Sequence, residues 1–177
     1  YNIAIGYNVG TLITTGIQNT LIGGLAGDAL TDADDNVAIG QFALSTETTG
    51  NKTTAIGTNS LGTQNVAGDS YNVAVGYNAG FAVTTSIRNT LIGGLAGDAL
   101  TTGQENAALG YFALSTDTLG SRSTAIGSGA LATQNFTTAT NAHNTAVGYT
   151  AGYSITTGTS NTLIGGLAGD ALTTGTV

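Results

Sequence analysis

Few residues of this chain have types and spacings that suggest chemistry. Thr31-Asp32-Ala33-Asp34-Asp35-Asn36 begins as a calcium loop begins, with carboxylate and amide oxygens on alternate residues, the ligand set a hard cation takes. The sharp-turn glycine is missing, however, and Ala43 stands where a bidentate Glu would close such a loop, so an acidic, solvated turn accounts for the cluster and no metal ligand is expected. Asp28, Asp98 and Asp170 recur in the tetrapeptide Gly-Asp-Ala-Leu, where a turn role competes with a ring of carboxylates about a symmetry axis. The single histidine, His143, has no Ser, Asp or second ligand at the spacing of a nucleophile elbow or a metal site. The acidic residues are scattered among unrelated positions and do not form the paired carboxylates of glycoside hydrolysis. No enzymatic activity, no catalytic residue and no cofactor are therefore expected.

Two further patterns suggest binding rather than catalysis. Thr-Thr pairs at 14-15, 84-85, 101-102, 156-157 and 173-174 raise the idea of an ice-binding array, although they lie beside turn residues and do not recur at every repeat. Tyr7, Tyr77, Tyr111 and Tyr149 each follow a repeated glycine and offer flat rings for stacking on sugars. Asn51-Lys52-Thr53 and Asn135-Phe136-Thr137 match the glycosylation sequon, which acts only in a host with that pathway.

The elements that must carry these groups are set by a repeat. An aliphatic residue precedes a glycine at Gly6, Gly23, Gly40, Gly57, Gly76, Gly93, Gly110, Gly127, Gly148 and Gly165, in steps of 17, 17, 17, 19, 17, 17, 17, 21 and 17 residues. A short period sustained along the whole chain means one unit stacked on itself. The residues after the glycine cycle through four types, giving super-repeats 1-70, 71-142 and 143-177 of a single solenoid segment. Both departures from 17 follow the fourth type, so length varies at one corner. A first residue inside a repeat, together with the absence of Met, leads to the expectation of an excerpt from a longer chain.

Composition agrees with a thin packed rod. Charged residues are 7% and hydrophobic ones 41%, unlike the profile of disorder, and Ala, Val, Ile and Leu dominate over four Phe and no Trp. Twenty-eight Gly and no Pro suit many turns whose amides remain free to pair. A net charge of -7 with three basic residues argues against nucleic acid and anionic membranes as partners. Apolar runs are too short to span a bilayer, and with no Cys the fold must rest on packing and backbone pairing.

Asn2-Ile3-Ala4-Ile5-Gly6 and Asn36-Val37-Ala38-Ile39-Gly40 show what one coil contains: β-branched residues flanked by turn formers, hence a strand of about five residues. The residue before each glycine is always aliphatic, so Ile5, Ile22, Ile39, Ile56, Val75, Ile92, Leu109, Ile126, Val147 and Ile164 are expected to form the core. Strand side chains alternate, which places Ala4, Leu21, Ala38, Ala74, Leu91, Ala108, Ala146 and Leu163 on the other face, expected to be an interface with further copies of the chain. Aliphatic residues seven past the glycine in two coil types and four past it in the others suggest a second core-filling strand. Stacking at about 4.8 Å per coil makes the segment roughly 48 Å long. Asn four residues before the glycine in eight of ten coils predicts a ladder of stacked amides at a turn. The insertions after the fourth coil type, with Asn65 and Asp69 in one and Asn135, Phe136 and His143 in the other, are the expected recognition loops, because loops on a rigid scaffold commonly bind.

The run Asn144-Thr145-Ala146-Val147-Gly148-Tyr149-Thr150-Ala151-Gly152, echoed at Asn161-Thr162-Leu163-Ile164-Gly165, resembles the head repeats of YadA-like trimeric autotransporter adhesins, and still more the longer repeats of phage tail-fibre proteins. The resemblance extends over essentially the whole chain. It implies an all-β fold, a left-handed parallel β-roll (β-solenoid) of about ten 17-residue coils in an intertwined or side-by-side homotrimer. It also implies an extracellular role in a virion fibre or on a bacterial surface, holding a receptor-binding tip, with a host glycan or protein as receptor. A glycan- or ice-binding module is the competing reading. The longer coil and four-coil super-repeat depart from the adhesin head and favour the fibre.

Overall fold

A computed structural model describes residues 1–175. The main sheet contains ten three-residue strands: β1 (Ile3–Ile5), β2 (Thr20–Ile22), β3 (Val37–Ile39), β4 (Thr54–Ile56), β5 (Val73–Val75), β6 (Thr90–Ile92), β7 (Ala107–Leu109), β9 (Thr124–Ile126), β11 (Thr145–Val147) and β12 (Thr162–Ile164). They pair in parallel and in chain order, one per coil. The longer steps do not disturb register: Ala55 pairs with Ala74 and Ala125 with Ala146, as Ala4 pairs with Leu21. The described residues form a β-solenoid of ten coils. Two short pieces, β8 (Gly120–Ser121) and β10 (Thr140–Asn141), pair separately beside the second insertion.

Each strand ends at a repeat glycine whose φ lies between 127° and 142°, a region closed to side-chain-bearing residues. Space excludes a side chain as well, since a Cβ on Gly40 would sit 2.5 Å from the Gly57 carbonyl and one on Gly76 would sit 2.6 Å from that of Gly93. The glycine column is a line of close backbone approach between successive coils.

The two strand faces are the reverse of the sequence expectation. Leu21, Ala38, Ala55, Ala74, Leu91, Ala108, Ala125 and Ala146 are wholly buried in the roll, whereas Ile22, Ile39, Ile56, Val75, Leu109 and Val147 are only half-buried, and Ile5, Ile92, Ile126 and Ile164 are exposed. Ala4 lies exposed in the first coil and Leu163 is half-buried in the last. Alternation separates the two sets without saying which points inward. Room decides it: the space behind the strands is narrow and admits Ala, or Leu where a facing glycine makes way. Leu21 fits because a Cβ on Gly10 or Gly27 would lie 2.8 or 2.9 Å from its methyls, and Leu91 uses Gly80 and Gly97 in the same way.

The expected second strand is a turn. Leu44, Leu61, Leu114 and Leu131 are fully buried, as expected of core-fillers, but their φ values of 49° to 54° are left-handed and incompatible with a strand. Gly10, Gly27, Gly80, Gly97, Gly152 and Gly169 share that conformation in the other coils. The aliphatic residue that swaps position is thus one volume filled two ways: Leu at the left-handed position, or Gly there with Leu30, Val83, Leu100 or Ile155 three residues later.

Substituting Gly76 by Ala should therefore cost about 2–5 kcal/mol, combining left-handed strain with overpacking. Gly165 has a φ of 128° but only the Ala168 Cβ, 3.9 Å away, within reach of an added methyl, so its replacement should cost the conformational part alone, about 1–3 kcal/mol. Urea titration of the two variants checks the difference, and equal losses would contradict the close approach between coils.

Candidate functional site

Behind the strands runs a polar column. Asn19, Asn36, Asn72, Asn89, Asn106, Asn144 and Asn161 are at most 2% exposed, so the asparagine ladder lies inside the roll. In every one of these but Asn161, which begins the last coil, the Oδ1 accepts the N–H of the corresponding residue one coil on, as Asn19 does for Asn36 at 3.0 Å and Asn89 for Asn106 at 2.9 Å. Each Nδ2 donates to a carbonyl fourteen residues ahead, Asn36 to Gly50 at 2.8 Å and Asn106 to Gly120 at 2.9 Å. One side chain thus ties its own coil closed and fastens it to the next.

Fourth-type coils have Thr53 or Ser123 in place of the asparagine, and a glutamine eleven residues on supplies the missing amide. Gln64 Nε2 donates to Thr53 Oγ1 at 3.0 Å and its Oε1 accepts from Asn72 at 2.8 Å. Gln134 repeats this with Ser123 and Asn144. Next to each glutamine lies a carboxylate without a counter-ion. Glu47 accepts the N–H groups of Gly50 and Val66 and the amide of Gln64, and Asp117 accepts those of Gly120, Phe136 and Gln134; both are fully buried. Val66 and Phe136 are where the chain enters its two insertions, and the carboxylate takes the N–H that leaves the regular ladder there. Sequence reasoning missed these acids. Their signal was positional, because they occupy the place that is Leu30 or Leu100 in the second coil type.

Of the expected recognition residues, Asn65, Asp69 and His143 are exposed and Asn135 is half-buried. Phe136 is 5% exposed, a correction: its N–H is held by the buried Asp117 carboxylate, which keeps the start of the insertion against the coil. His143 lies in a left-handed corner position, φ 51°, shared with Asp35, Lys52, Arg88, Glu105 and Arg122. Charges at this corner pair along the rod, Lys52 with Asp69 at 2.6 Å and Glu105 with Arg88 and Arg122 at 3.3 and 2.9 Å. Asp34 is likewise occupied in bonding, accepting the Ile17 N–H at 2.7 Å, and among the described residues no cluster of three or more potential ligands is arranged for a metal.

The threonines form a second column: Thr14, Thr31, Thr84 and Thr101 donate their hydroxyls to carbonyls one coil on at 3.0–3.2 Å. Hydroxyls so engaged hold successive coils together. The tyrosines project outward beside them, with Tyr77, Tyr111 and Tyr149 58%, 58% and 64% exposed. Around coils seven to nine, Tyr111 and Tyr149 border a groove of about 390 Å³ lined by aromatic rings, hydroxyls, Gly129 and Ala132.

No protein-family model, curated protein or solved structure gives a significant match to this chain. No helix among the described residues is long and apolar enough to cross a membrane.

Two outcomes follow from the buried column. Asn89→Ala removes bonds to Ser86, Gly103 and Asn106 and strands buried groups, which should cost roughly 2–5 kcal/mol by urea unfolding. Burial raises the Asp117 pKa above the ordinary 3.8, against the lowering effect of its Gln134 bond. The folded chain therefore holds that proton more tightly than the unfolded one. This contribution to stability is full below 3.8 and falls as pH rises through the folded value. Asp117→Asn should then make the dependence of stability on pH just above 3.8 more positive, while a less positive slope would contradict the burial argument.

Proposed function

We propose that this chain is a structural and adhesive segment of an extracellular fibre, a left-handed β-roll that associates three-fold with copies of itself and holds a receptor-binding tip away from a virion or cell. The observation that carries the reading is the outer face of the ten-stranded sheet. Ile5, Ile22, Ile39, Ile56, Val75, Ile92, Leu109, Ile126, Val147 and Ile164 form an unbroken aliphatic column there. Ten strands at about 4.8 Å make that column more than 40 Å long, a continuous apolar stripe of a kind soluble monomers rarely expose. The partner that matches it along its whole length is the same stripe on another copy. Three-fold closure and handedness rest on the resemblance of the repeats to fibre and adhesin heads, and the four-coil super-repeat favours a phage fibre over a bacterial adhesin head.

Sedimentation equilibrium at low micromolar concentration tests the reading. A trimer is expected, with Ile39→Asp combined with Ile92→Asp giving a monomer of unchanged circular dichroism, because these residues face out of the roll. Ala38→Asp should instead unfold the chain by burying an unpaired charge. A wild-type folded monomer would overturn the association, and a dimer would keep the interface but remove the three-fold axis.

A further inference from the structure

Coil eight carries a notch that its counterpart, coil four, lacks. Asn59 in coil four is left-handed, φ 58°, and its amide reaches Asn78 Oδ1 at 3.1 Å across the coil boundary. Gly129 holds that place in coil eight, φ 70°, and an added Cβ would meet Thr150 at 3.2 Å and the Tyr153 ring at 3.7 Å. A second exchange accompanies the first: Gln41 of coil three becomes Tyr111 in coil seven. Tyr111 stands edge-on to Phe112, centroids 4.5 Å apart, on one side of the notch, and Tyr149 and Tyr153 stand on the other. The Thr150 Oγ1 is buried there with no partner. Thr150 is moreover a β-branched residue held at φ 49°, where the equivalent coils have Asn8 and Asn78; Asn adopts that conformation at less cost than Thr does.

We propose that this notch binds a neutral saccharide. A pyranose ring has a face of C–H groups that stacks on an aromatic ring and a rim of hydroxyls that needs small donors and acceptors. Tyr111 and Tyr149 provide the first, and the exposed hydroxyls of Thr116 and Ser128 provide the second. No charged residue lines the groove, and the net charge of -7 disfavours anionic sugars. The site comes entirely from coils seven to nine of one chain, so it does not depend on the three-fold association.

Saturation-transfer NMR on the 177-residue chain with maltotriose, cellotriose, chitotriose and lactose tests the proposal, with 3′-sialyllactose as the anionic comparison. At least one neutral probe should bind, with affinity falling roughly tenfold or more in Tyr149→Ala, the scale of one lost stacking contact, and in Gly129→Asn, which restores the coil-four residue in a conformation Asn adopts. Tyr7→Ala, far along the rod, should leave binding unchanged. Silence from all four neutral probes, binding of the sialylated probe alone, or binding that survives both groove variants would overturn the assignment. Because Tyr149 is exposed, its variant keeps the test decisive even if Gly129→Asn alters folding.

Discussion

The close approach of one coil's backbone to the next at the glycine column governs the rest of this fold. It goes with the hydrogen-bonded spacing of the strands and requires glycine at each strand end that another coil follows, while the shallow space behind the sheet makes alanine the usual inward residue. The interior then has volume for one aliphatic side chain per half-coil. The alternation of Gly10 with Leu44 at the left-handed position is that limit expressed in sequence. Even the buried amides obey it, since an asparagine is long enough to reach both its own turn and the neighbouring coil.

Within that limit the insertions are built into the core and not hung from it. Glu47 and Asp117 replace an aliphatic residue where the ladder is about to break, and each collects N–H groups that would otherwise be buried without an acceptor. Hydrogen bonds to a carboxylate are stronger than those between neutral groups, which offsets part of the cost of burying the charge. Gln64 and Gln134 complete the exchange by taking over from the asparagine that the fourth coil type lacks.

Much of the architecture was legible in the sequence because a fixed period returns the same residue to the same place: the parallel register, the number of coils and the turn glycines follow from it. The inward face did not follow. Ile39 is more apolar than Ala38, and hydrophobicity favours it for the interior, but the deciding quantity is room, which depends on glycines in the other half of the coil. The buried acids were hidden for a related reason, since Glu47 reads as a surface residue until its column is aligned with Leu30. Left-handed leucines such as Leu44 break the usual preference of side-chain-bearing residues and so read as strand. The tyrosines were visible as stacking surfaces, but the groove depended on an absent side chain at Gly129, which only the comparison with Asn59 reveals.

The steps of 19 and 21 residues preserve strand register, and this separates sequence length from physical length. Extra residues leave sideways at one corner and add nothing along the axis. The rod is therefore a ruler graduated in glycines: Tyr7, Tyr77 and Tyr149 stand 70 and 72 residues apart yet both intervals are four coils, about 19 Å at the spacing of paired strands. Insertions and deletions at that corner can accumulate without moving any mark on the scale, whereas gaining or losing a whole coil shifts every mark beyond it by one division.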